Sequence, residues 1–184
     1  MTERIDFNRT VREWPQVQAF SCGTTPWEIE VGKWISAPDS AKFDSALYCV
    51  EHGKCSVWLH VFPGDPPEVV GFTSLGQTKW KFDGSETKLP LQIIPNCAVG
   101  TKYQGQPLGV PQSERHAHKI FKGLLSEAAR RWKEAAAPKL LALFVHPSNL
   151  RAIKFYKAHG FKVLPAPMPN GYTGMTRELE DSDL

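Results

Sequence analysis

Alternating hydrophobic and polar positions dominate the first half of the chain and predict strands. Within Ala46–Phe62 the alternation predicts two strands that flank a short turn. Val69–Leu75 is predicted as the next strand and Leu89–Val99 as another. Prolines and glycines interrupt Arg4–Phe43, so this stretch is predicted to be irregular apart from a short helix near Trp27–Ile35. The pattern indicates the front half of a β-sheet.

The period of the hydrophobic positions changes to that of a helix in the second half. Apolar side chains recur every three or four residues from about Ser113 to Ala136, which predicts an amphipathic helix with Ser113 as its N-cap. Leu140–Val145 is a continuous apolar run of strand length, as expected for a strand that is buried on both faces. Strands followed by alternating helix and strand predict an α/β (α+β) fold.

A second helix and two short strands are predicted at the end of the chain. Asn149–His159 has helical periodicity, and Gly160 follows it at the position that favours a left-handed C-cap. Phe161–Leu164 and Tyr172–Leu179 are predicted as the final strands. No repeat or linker divides the sequence, so we expect a single domain over residues 1–184.

The distribution of charge adds a candidate ligand class to this picture. The 184 residues carry a formal net charge of +3. Four acidic residues lie together at the end of the chain, so the 22 basic residues before them face only 15 acidic ones. The excess is concentrated between Ser113 and Lys162, where eleven Lys or Arg accompany three Glu. Such a surface attracts phosphates and predicts a polyanionic ligand or substrate.

The sequence carries no sign of export, membrane insertion or metal binding. Its four cysteines form no Cys-x-x-Cys pair and are expected to be buried, reduced thiols of a cytoplasmic protein. Their spacing from the histidines fits no standard zinc pattern, so no metal site is expected. Apolar runs stay well below the roughly 18 residues that a membrane span needs, and no membrane partner is expected.

One segment near the end of the chain carries a specific motif. It reads Asn149-x-x-Ala152-x-x-x-Tyr156-x-x-x-Gly160-Phe161. This spacing resembles, without a gap, a signature of the GNAT superfamily of N-acetyltransferases. The order of the predicted elements is also similar to the acyl-CoA half of that family. The resemblance implies the GNAT acyl-CoA N-acyltransferase fold, in which helices flank a mixed, mostly antiparallel central sheet.

The resemblance also implies a cosubstrate and a reaction. Acetyl-CoA would bind between the strand that ends at Val99 and the strand Leu140–Val145, within an acyl-CoA-binding core of about residues 89–164. An acceptor amine would attack the thioester directly in a ternary complex. The backbone N–H near Val99 would polarise the thioester carbonyl and stabilise the oxyanion, and Tyr156 would act as the general acid.

The positions that the family uses for its cofactor can be carried over onto this sequence. A glycine-containing loop before a helix presents backbone N–H groups and the positive end of the helix dipole, which suit a pyrophosphate. The cofactor-binding positions implied by the resemblance are Cys97, Ala98, Val99, Gln104, Gly105, Gln106, Pro107, Leu108, Gly109, Asn149 and Tyr156. Asn149 is in addition expected to cap its own helix.

The loop departs from the family pattern in two ways. Pro107 stands where the family has a glycine, and Val110–His118 is an insertion before the helix. His116 and His118 within the insertion are expected to face solvent.

The sequence leaves the acceptor open. The first hypothesis is an amine of a small molecule, peptide or protein. A weaker resemblance is to the toxins that acetylate aminoacyl-tRNA, and it implies a tRNA substrate and an antitoxin partner. It is carried by Phe20-Ser21-Cys22-Gly23, Gly71-Phe72-Thr73-Ser74-Leu75 and Phe155-Tyr156-Lys157-Ala158-His159-Gly160-Phe161. An α-amino group titrates near about 7.7–8.0 and needs no strong base. A non-catalytic acyl-CoA-binding regulatory module is the third alternative, and a homodimer also stays open.

Overall fold

The computed structural model describes residues 2–38, 45–82, 86–106, 114–166, 168 and 170–184. The strands are Glu3–Asp6 (β1), Cys55–Phe62 (β2), Glu68–Lys81 (β3), Lys88–Ile94 (β4), Cys97–Val99 (β5), Leu140–Val145 (β6), Lys162–Val163 (β7) and Thr173–Glu178 (β8). The helices are Arg9–Arg12 (α1), Pro15–Gln18 (α2), Pro26–Ser36 (α3), Ala46–Glu51 (α4), His116–Glu134 (α5) and Leu150–Ala158 (α6), with short 3-10 turns at Thr101–Tyr103 and Asp181–Asp183.

The strands form a mixed sheet. Their hydrogen-bonded order is β1-β2-β3-β4-β6-β8-β7, and β5 pairs with β3 beside this path. β4 and β6 run parallel, whereas β1–β2, β3–β4, β3–β5, β6–β8 and β7–β8 are antiparallel pairs. This arrangement confirms the predicted fold class.

The chain divides into two compact units. The first comprises Met1–Ser74 and Asn96–Leu124, and the second comprises Leu75–Pro95 and Leu125–Leu184. In the first unit, the side chains of β2 and β3 form the centre of the core together with α3. The ring of Trp34 stacks on the ring of Phe72, with 5.7 Å between the ring centroids. The ring of Phe20 meets the Phe72 ring edge-on, with 5.5 Å between the centroids. These contacts hold α3 and the turn before it against β3.

The core of the second unit is built on β6. Leu141 and Leu143 are buried, and the strand pairs with β4 on one side and β8 on the other. The prediction of a buried central strand is therefore confirmed. Near the end of the chain, the Arg177 guanidinium donates to both carboxylate oxygens of Asp183 at 2.7 and 2.8 Å and to the carbonyl of His159 at 2.9 Å. This pair ties the last residues to the end of α6.

Two predictions for the first half of the chain are wrong. The first apolar run of Ala46–Phe62 is helix α4, because the Ser45 hydroxyl accepts a hydrogen bond from the Tyr48 N–H at 3.1 Å and caps a helical turn. The start of the chain is not wholly irregular, since β1 pairs with β2 through Ile5 and its neighbours. Both elements are short, and β1 is stabilised by backbone pairing rather than by an alternating hydrophobic pattern.

The stretch predicted as one strand, Leu89–Val99, forms two strands on different partners. β4 pairs with the second half of β3, whereas β5 pairs with its first half. Between them, the Ser74 hydroxyl donates to the Asn96 carbonyl at 2.7 Å and accepts from the Asn96 N–H at 2.9 Å. One side chain thus satisfies both backbone groups of a residue that the ladder leaves out. β3 itself runs to Lys81, beyond the predicted end at Leu75.

The later helices agree with their predictions. α5 and α6 form within the predicted ranges, although Ser113, the predicted N-cap of α5, lies outside the described residues. Within the described ranges, each helix is too short or too polar to span a bilayer.

Candidate functional site

The backbone of β5 offers hydrogen-bonding groups at its outer edge. β5 pairs with β3 in the register Gly71↔Val99, and the Gly100 N–H donates to the Val70 carbonyl at 2.8 Å. Backbone groups alternate in direction along an antiparallel strand, so the N–H and C=O of Val99 point away from β3. Val99 therefore presents its N–H at the edge where the resemblance places the thioester carbonyl.

β5 lies unusually close to β3 because of a glycine. A Cβ at Gly71 would overlap the carbonyl oxygen of Ala98 and would lie 3.2 Å from the Cα of Val99. Only a residue without a side chain permits this approach. Gly71 thereby sets the position of Ala98 and Val99, two of the predicted cofactor-binding residues.

The segment after β5 is a sequence of tight turns. Tyr103 ends a 3-10 turn, and its carbonyl accepts from the Gln106 N–H at 3.2 Å. Gly105 between them has φ +73, a left-handed conformation that favours glycine. The structure thus places Gln104, Gly105 and Gln106 in one turn directly after β5. The predicted residues Pro107, Leu108 and Gly109 lie outside the described residues.

The side chain of Gln104 connects two distant segments. Its amide nitrogen donates to the carbonyl of Cys22 and to the carbonyl of Val99, the latter at 3.1 Å. Thr101 adds two hydrogen bonds to the Ser21 carbonyl, from its N–H at 2.9 Å and from its hydroxyl at 3.0 Å. The backbone of Phe20-Ser21-Cys22-Gly23 is therefore bonded to the residues that follow β5.

The two cysteines in this region are protonated thiols near neutral pH. Burial is the largest cause that raises the pKa of Cys97 to about 12 and that of Cys22 to about 11, with smaller contributions from Cys22 and Glu28 respectively. The Cys22 thiol donates to the Glu28 carbonyl at 3.3 Å. All four cysteines are free. A thiolate nucleophile is therefore disfavoured at either position.

In the second unit, local hydrogen bonds fix both ends of α6. The Asn149 side chain accepts from the Ala152 N–H at 3.1 Å, as expected for an N-cap. At the other end, the N–H of Gly160 donates to the Lys157 carbonyl at 3.0 Å, and the N–H of Phe161 donates to the Tyr156 carbonyl at 3.1 Å. Gly160 has φ +83, so these bonds form the predicted left-handed cap, a Schellman motif.

The ring of Tyr156 is half-buried on α6. It packs edge-on against the ring of Phe155 at 5.5 Å and lies 6.0 Å from that of Phe161. Asn149 and Tyr156 are seven residues apart, which places them on the same side of the helix. Two aromatic side chains thus contact the ring of Tyr156.

The sequence-predicted site residues fall into two groups. The first unit brings together Cys97, Ala98, Val99, Gln104, Gly105 and Gln106, whereas the second carries Asn149 and Tyr156. The sequence does not predict Thr101 or its contact with Ser21, because a hydrogen bond between residues 80 positions apart leaves no periodic signal. Among the residues described, no group of three or more His, Cys, Asp or Glu is arranged to hold a metal ion.

The basic surface is smaller than the sequence indicates. On α5, Lys122 pairs with Glu114, Arg130 pairs with Glu127 and Glu134, and Lys133 pairs with Asp181. These cations are largely compensated. In contrast, residues 135–177 contain no acidic residue at all.

A set of exposed lysines remains within this acid-free stretch. Lys154 and Lys157 lie three residues apart on α6, and Lys162 lies in β7. No ion pair joins them to an acidic side chain in the described part of the chain. We call these three residues the α6 surface.

No protein-family model matches the chain, and no curated protein sequence matches it. Solved structures of bacterial toxins are similar to this chain over nearly their whole length. A crystal structure described as a bacterial toxin has a TM-score of 0.70 at 19% identity, and the match covers 97% of this chain and 91% of that one. AtaT complexed with acetyl-methionyl-tRNAfMet has a TM-score of 0.69 at 12% identity, covering 97% and 95%.

A mutant of the AtaT toxin, bound to the C-terminus of the antitoxin AtaR and acetyl-CoA, is also similar. Its TM-score is 0.66 at 13% identity, and the match covers 97% of this chain and 93% of that one. At these identities the likeness concerns the arrangement of helices and strands. The chain thus has the GNAT acyltransferase fold, which the motif from Asn149 to Phe161 predicts.

Proposed function

We propose that this protein transfers the acetyl group of acetyl-CoA to the α-amine of aminoacyl-tRNA. The observation that carries the proposal is the likeness to AtaT in complex with acetyl-methionyl-tRNAfMet, which extends over 97% of this chain. The bonds from Thr101 and Gln104 to Ser21 and Cys22 support it, because they attach the toxin-like N-terminal motif to the segment after β5. An acceptor of another class, such as a small amine or a peptide, has no comparable support.

The residues of the first unit fit an acyl thioester. The Val99 N–H at the outer edge of β5 can donate to a carbonyl oxygen and stabilise the negative charge that develops there during attack. Space is open around the left-handed turn at Gly105, since among the described residues nothing lies within 4 Å of a Cβ placed there, and we place the pyrophosphate of coenzyme A at this turn. Acetyl-CoA, when bound, supplies the activated acetyl group.

Tyr156 is proposed as the proton donor. When the amine nitrogen forms its bond to the acetyl carbon, the carbon–sulfur bond breaks and the sulfur leaves as a thiolate. A phenol can protonate that thiolate and can afterwards regain a proton from the amine, by way of solvent. Among the described residues, no strong base for the amine stands out. An α-amine with a pKa of about 7.7–8.0 needs none, because a substantial fraction is neutral at physiological pH.

The decisive experiment is acetyl transfer from labelled acetyl-CoA to a panel of acceptors. We expect label on aminoacyl-tRNA, none on deacylated tRNA, and none on aminoacyl-tRNA whose α-amine is already blocked. Small amines and peptides should accept at most slowly. Label that appears on a small amine but never on aminoacyl-tRNA would reject the proposed acceptor. The absence of any transfer, together with normal coenzyme A binding, would favour a regulatory module.

Reversing the charge of the α6 surface is expected to weaken tRNA binding by about tenfold or more at low salt, because each lysine lost removes a phosphate contact. The variant is Lys154→Glu, Lys157→Glu and Lys162→Glu together. The slope of log affinity against log salt should also fall by roughly two to three. Fluorescence anisotropy of labelled tRNA over a range of salt concentrations measures both quantities.

A matched control separates this surface from net charge. Lys79, Lys81 and Lys88 lie on β3 and β4, and the same three Lys→Glu changes there alter the net charge equally. The control should keep most of the affinity and the salt slope. If both triple variants lose affinity alike, the α6 surface has no special role in binding tRNA.

In one of the similar structures, the toxin AtaT is bound to the C-terminus of the antitoxin AtaR. We infer that this protein has a neutralising partner of the same kind. Arrest of growth when the chain is expressed, relieved by co-expression of a neighbouring open reading frame, would support this inference. Normal growth at full expression of active protein would contradict it.

A further inference from the structure

His116 is buried, although it was predicted to face solvent. Only 4% of the residue is exposed, because the first turn of α5 packs onto β2 and the 3-10 turn after β5. Its ring meets that of Phe62 edge-on at 5.6 Å and that of Tyr103 at 5.4 Å. Phe62 and Tyr103 also contact each other at 5.7 Å. We call these three residues the three-ring cluster.

The three-ring cluster closes the turn that carries predicted cofactor-binding residues. Tyr103 stands directly before Gln104, and its carbonyl accepts from the Gln106 N–H at 3.2 Å. The carbonyl of Gln106 in turn accepts from the His116 N–H at 3.4 Å. The described turn Gln104–Gln106 is therefore bounded on one side by Tyr103 and on the other by His116.

The cluster also reaches β5 through its apolar neighbours. Val70, Tyr103 and Ile120 form a small buried cluster, and Val99 and Phe62 pack against it. A change in the packing of His116 would therefore act on both Val99 and the turn Gln104–Gln106. These are the positions that the proposed function assigns to the thioester and to the pyrophosphate.

The surroundings of His116 favour its neutral form. Its Nδ1 is buried and has no hydrogen-bond partner within the described residues. Burial lowers the pKa of His116 below its usual value, and the positive charge of Lys119 on the same helix lowers it further. A charged imidazole here would lack an acceptor for its new proton.

Two further charged groups lie beside Tyr103 of the cluster. Glu68 at the start of β3 forms an ion pair with Lys102 of the 3-10 turn. Burial and the neighbouring Glu68 carboxylate raise the pKa of Tyr103, so the phenol is neutral near pH 7. Within the described residues, Lys119 is the charged group that acts on His116 directly, whereas Glu68 and Lys102 act on its neighbour Tyr103.

We propose that His116 is a positioning residue whose neutral ring holds the turn Gln104–Gln106 in place for coenzyme A, and that protonation of the ring releases this turn. The inference rests on the proposed function for the identity of the ligand. Because the folded-state pKa is lowered, the stabilising contribution of His116 is fully present above about pH 6.5 and is lost as the pH falls through the folded-state value. Acidification should therefore weaken coenzyme A binding through this residue.

The test compares the wild type with His116→Phe, which keeps a ring of similar size but cannot be protonated. His118→Gln, on the same helix and half-buried, serves as the control. Hydrogen–deuterium exchange of the peptide that covers Gly100–Gln106, and the Kd of coenzyme A, are measured at about pH 7.5 and about pH 5. Variants are compared at the same pH, so that intrinsic exchange rates and the titration of coenzyme A cancel.

At the higher pH, we expect similar protection and similar Kd in all three proteins. At the lower pH, the wild type and His118→Gln should exchange this peptide roughly tenfold faster than His116→Phe and should bind coenzyme A correspondingly more weakly. Equal protection in the wild type and His116→Phe at both pH values would overturn the proposal. Loss of protection without a change in Kd would also overturn it, since His116 would then act on the fold alone.

The two measurements also separate this inference from the proposed function. If none of the proteins binds coenzyme A at the higher pH, the proposed function fails. The exchange comparison at the lower pH still decides whether His116 holds the turn, since it needs no ligand.

Discussion

Replacing Tyr156 by phenylalanine is expected to lower turnover by about 10²-fold or more while the affinity for coenzyme A stays nearly unchanged. Only the hydroxyl is lost, and the ring keeps its contacts with Phe155 and Phe161. A group that donates a proton during the breakdown of the thioester contributes to the transition state and little to the binding of the ground state. Steady-state kinetics with aminoacyl-tRNA and calorimetry with coenzyme A measure the two effects separately.

The pH dependence gives a second measure of the role of Tyr156. A proton donor must be protonated, so the wild-type rate should fall at high pH, and this fall should be absent in Tyr156→Phe. Tyr172→Phe is the matched control, because Tyr172 is also half-buried in the second unit and packs against His146 at 5.7 Å. If Tyr156→Phe and Tyr172→Phe have equal rates at every pH, Tyr156 serves only in packing.

The second large effect is expected from Gly71→Ala. The new Cβ would overlap the Ala98 carbonyl, a backbone atom that cannot rotate away, so β5 must shift from β3. We expect the free energy of unfolding to fall by about 1–3 kcal/mol or more. Because the shift displaces the Val99 N–H, coenzyme A binding and turnover should fall as well. Chemical denaturation and calorimetry measure the two consequences.

Gly123→Ala provides the control for this prediction. Gly123 lies in α5, and apart from the helix's own backbone no atom of the described residues lies within 4 Å of a Cβ placed there. The same substitution should therefore raise the free energy of unfolding by about 0.5–1 kcal/mol, as alanine does in a helix interior. If Gly71→Ala is tolerated as well as Gly123→Ala, the close approach of β3 and β5 does not determine the position of Val99.

Features that depend on local sequence were predicted well. The helix α6, its Asn149 cap and its glycine termination are all set by residues within a dozen positions of one another. The strand β6 could be predicted because a short, continuous apolar run after a helix is typical of a strand that is buried on both faces. The same segment carries Tyr156, whose place on α6 follows from the sequence and whose catalytic role stays a prediction.

Features that depend on distant partners were not predictable from the sequence. Leu47 and Val50 fit either an alternating or a helical pattern, and the hydroxyl of Ser45 decides for the helix α4. The polar insertion before α5 predicts a solvent-exposed His116. In the structure its ring contacts those of Phe62 and Tyr103, which are distant from it in the sequence. Periodicity reports which face of an element is apolar, and it carries no information about which segment covers that face.

The α6 surface has a consequence for substrate selectivity. Lysines that contact phosphates bind the sugar–phosphate backbone, which all tRNAs share. Such contacts do not distinguish one base from another. Lys154, Lys157 and Lys162 would therefore draw every tRNA, and other polyanions too, with similar strength. Any discrimination between one aminoacyl group and another has to be made where the amine itself is held. A variant that changes the preferred amino acid should for that reason be sought near Phe20-Ser21-Cys22-Gly23 rather than among the lysines.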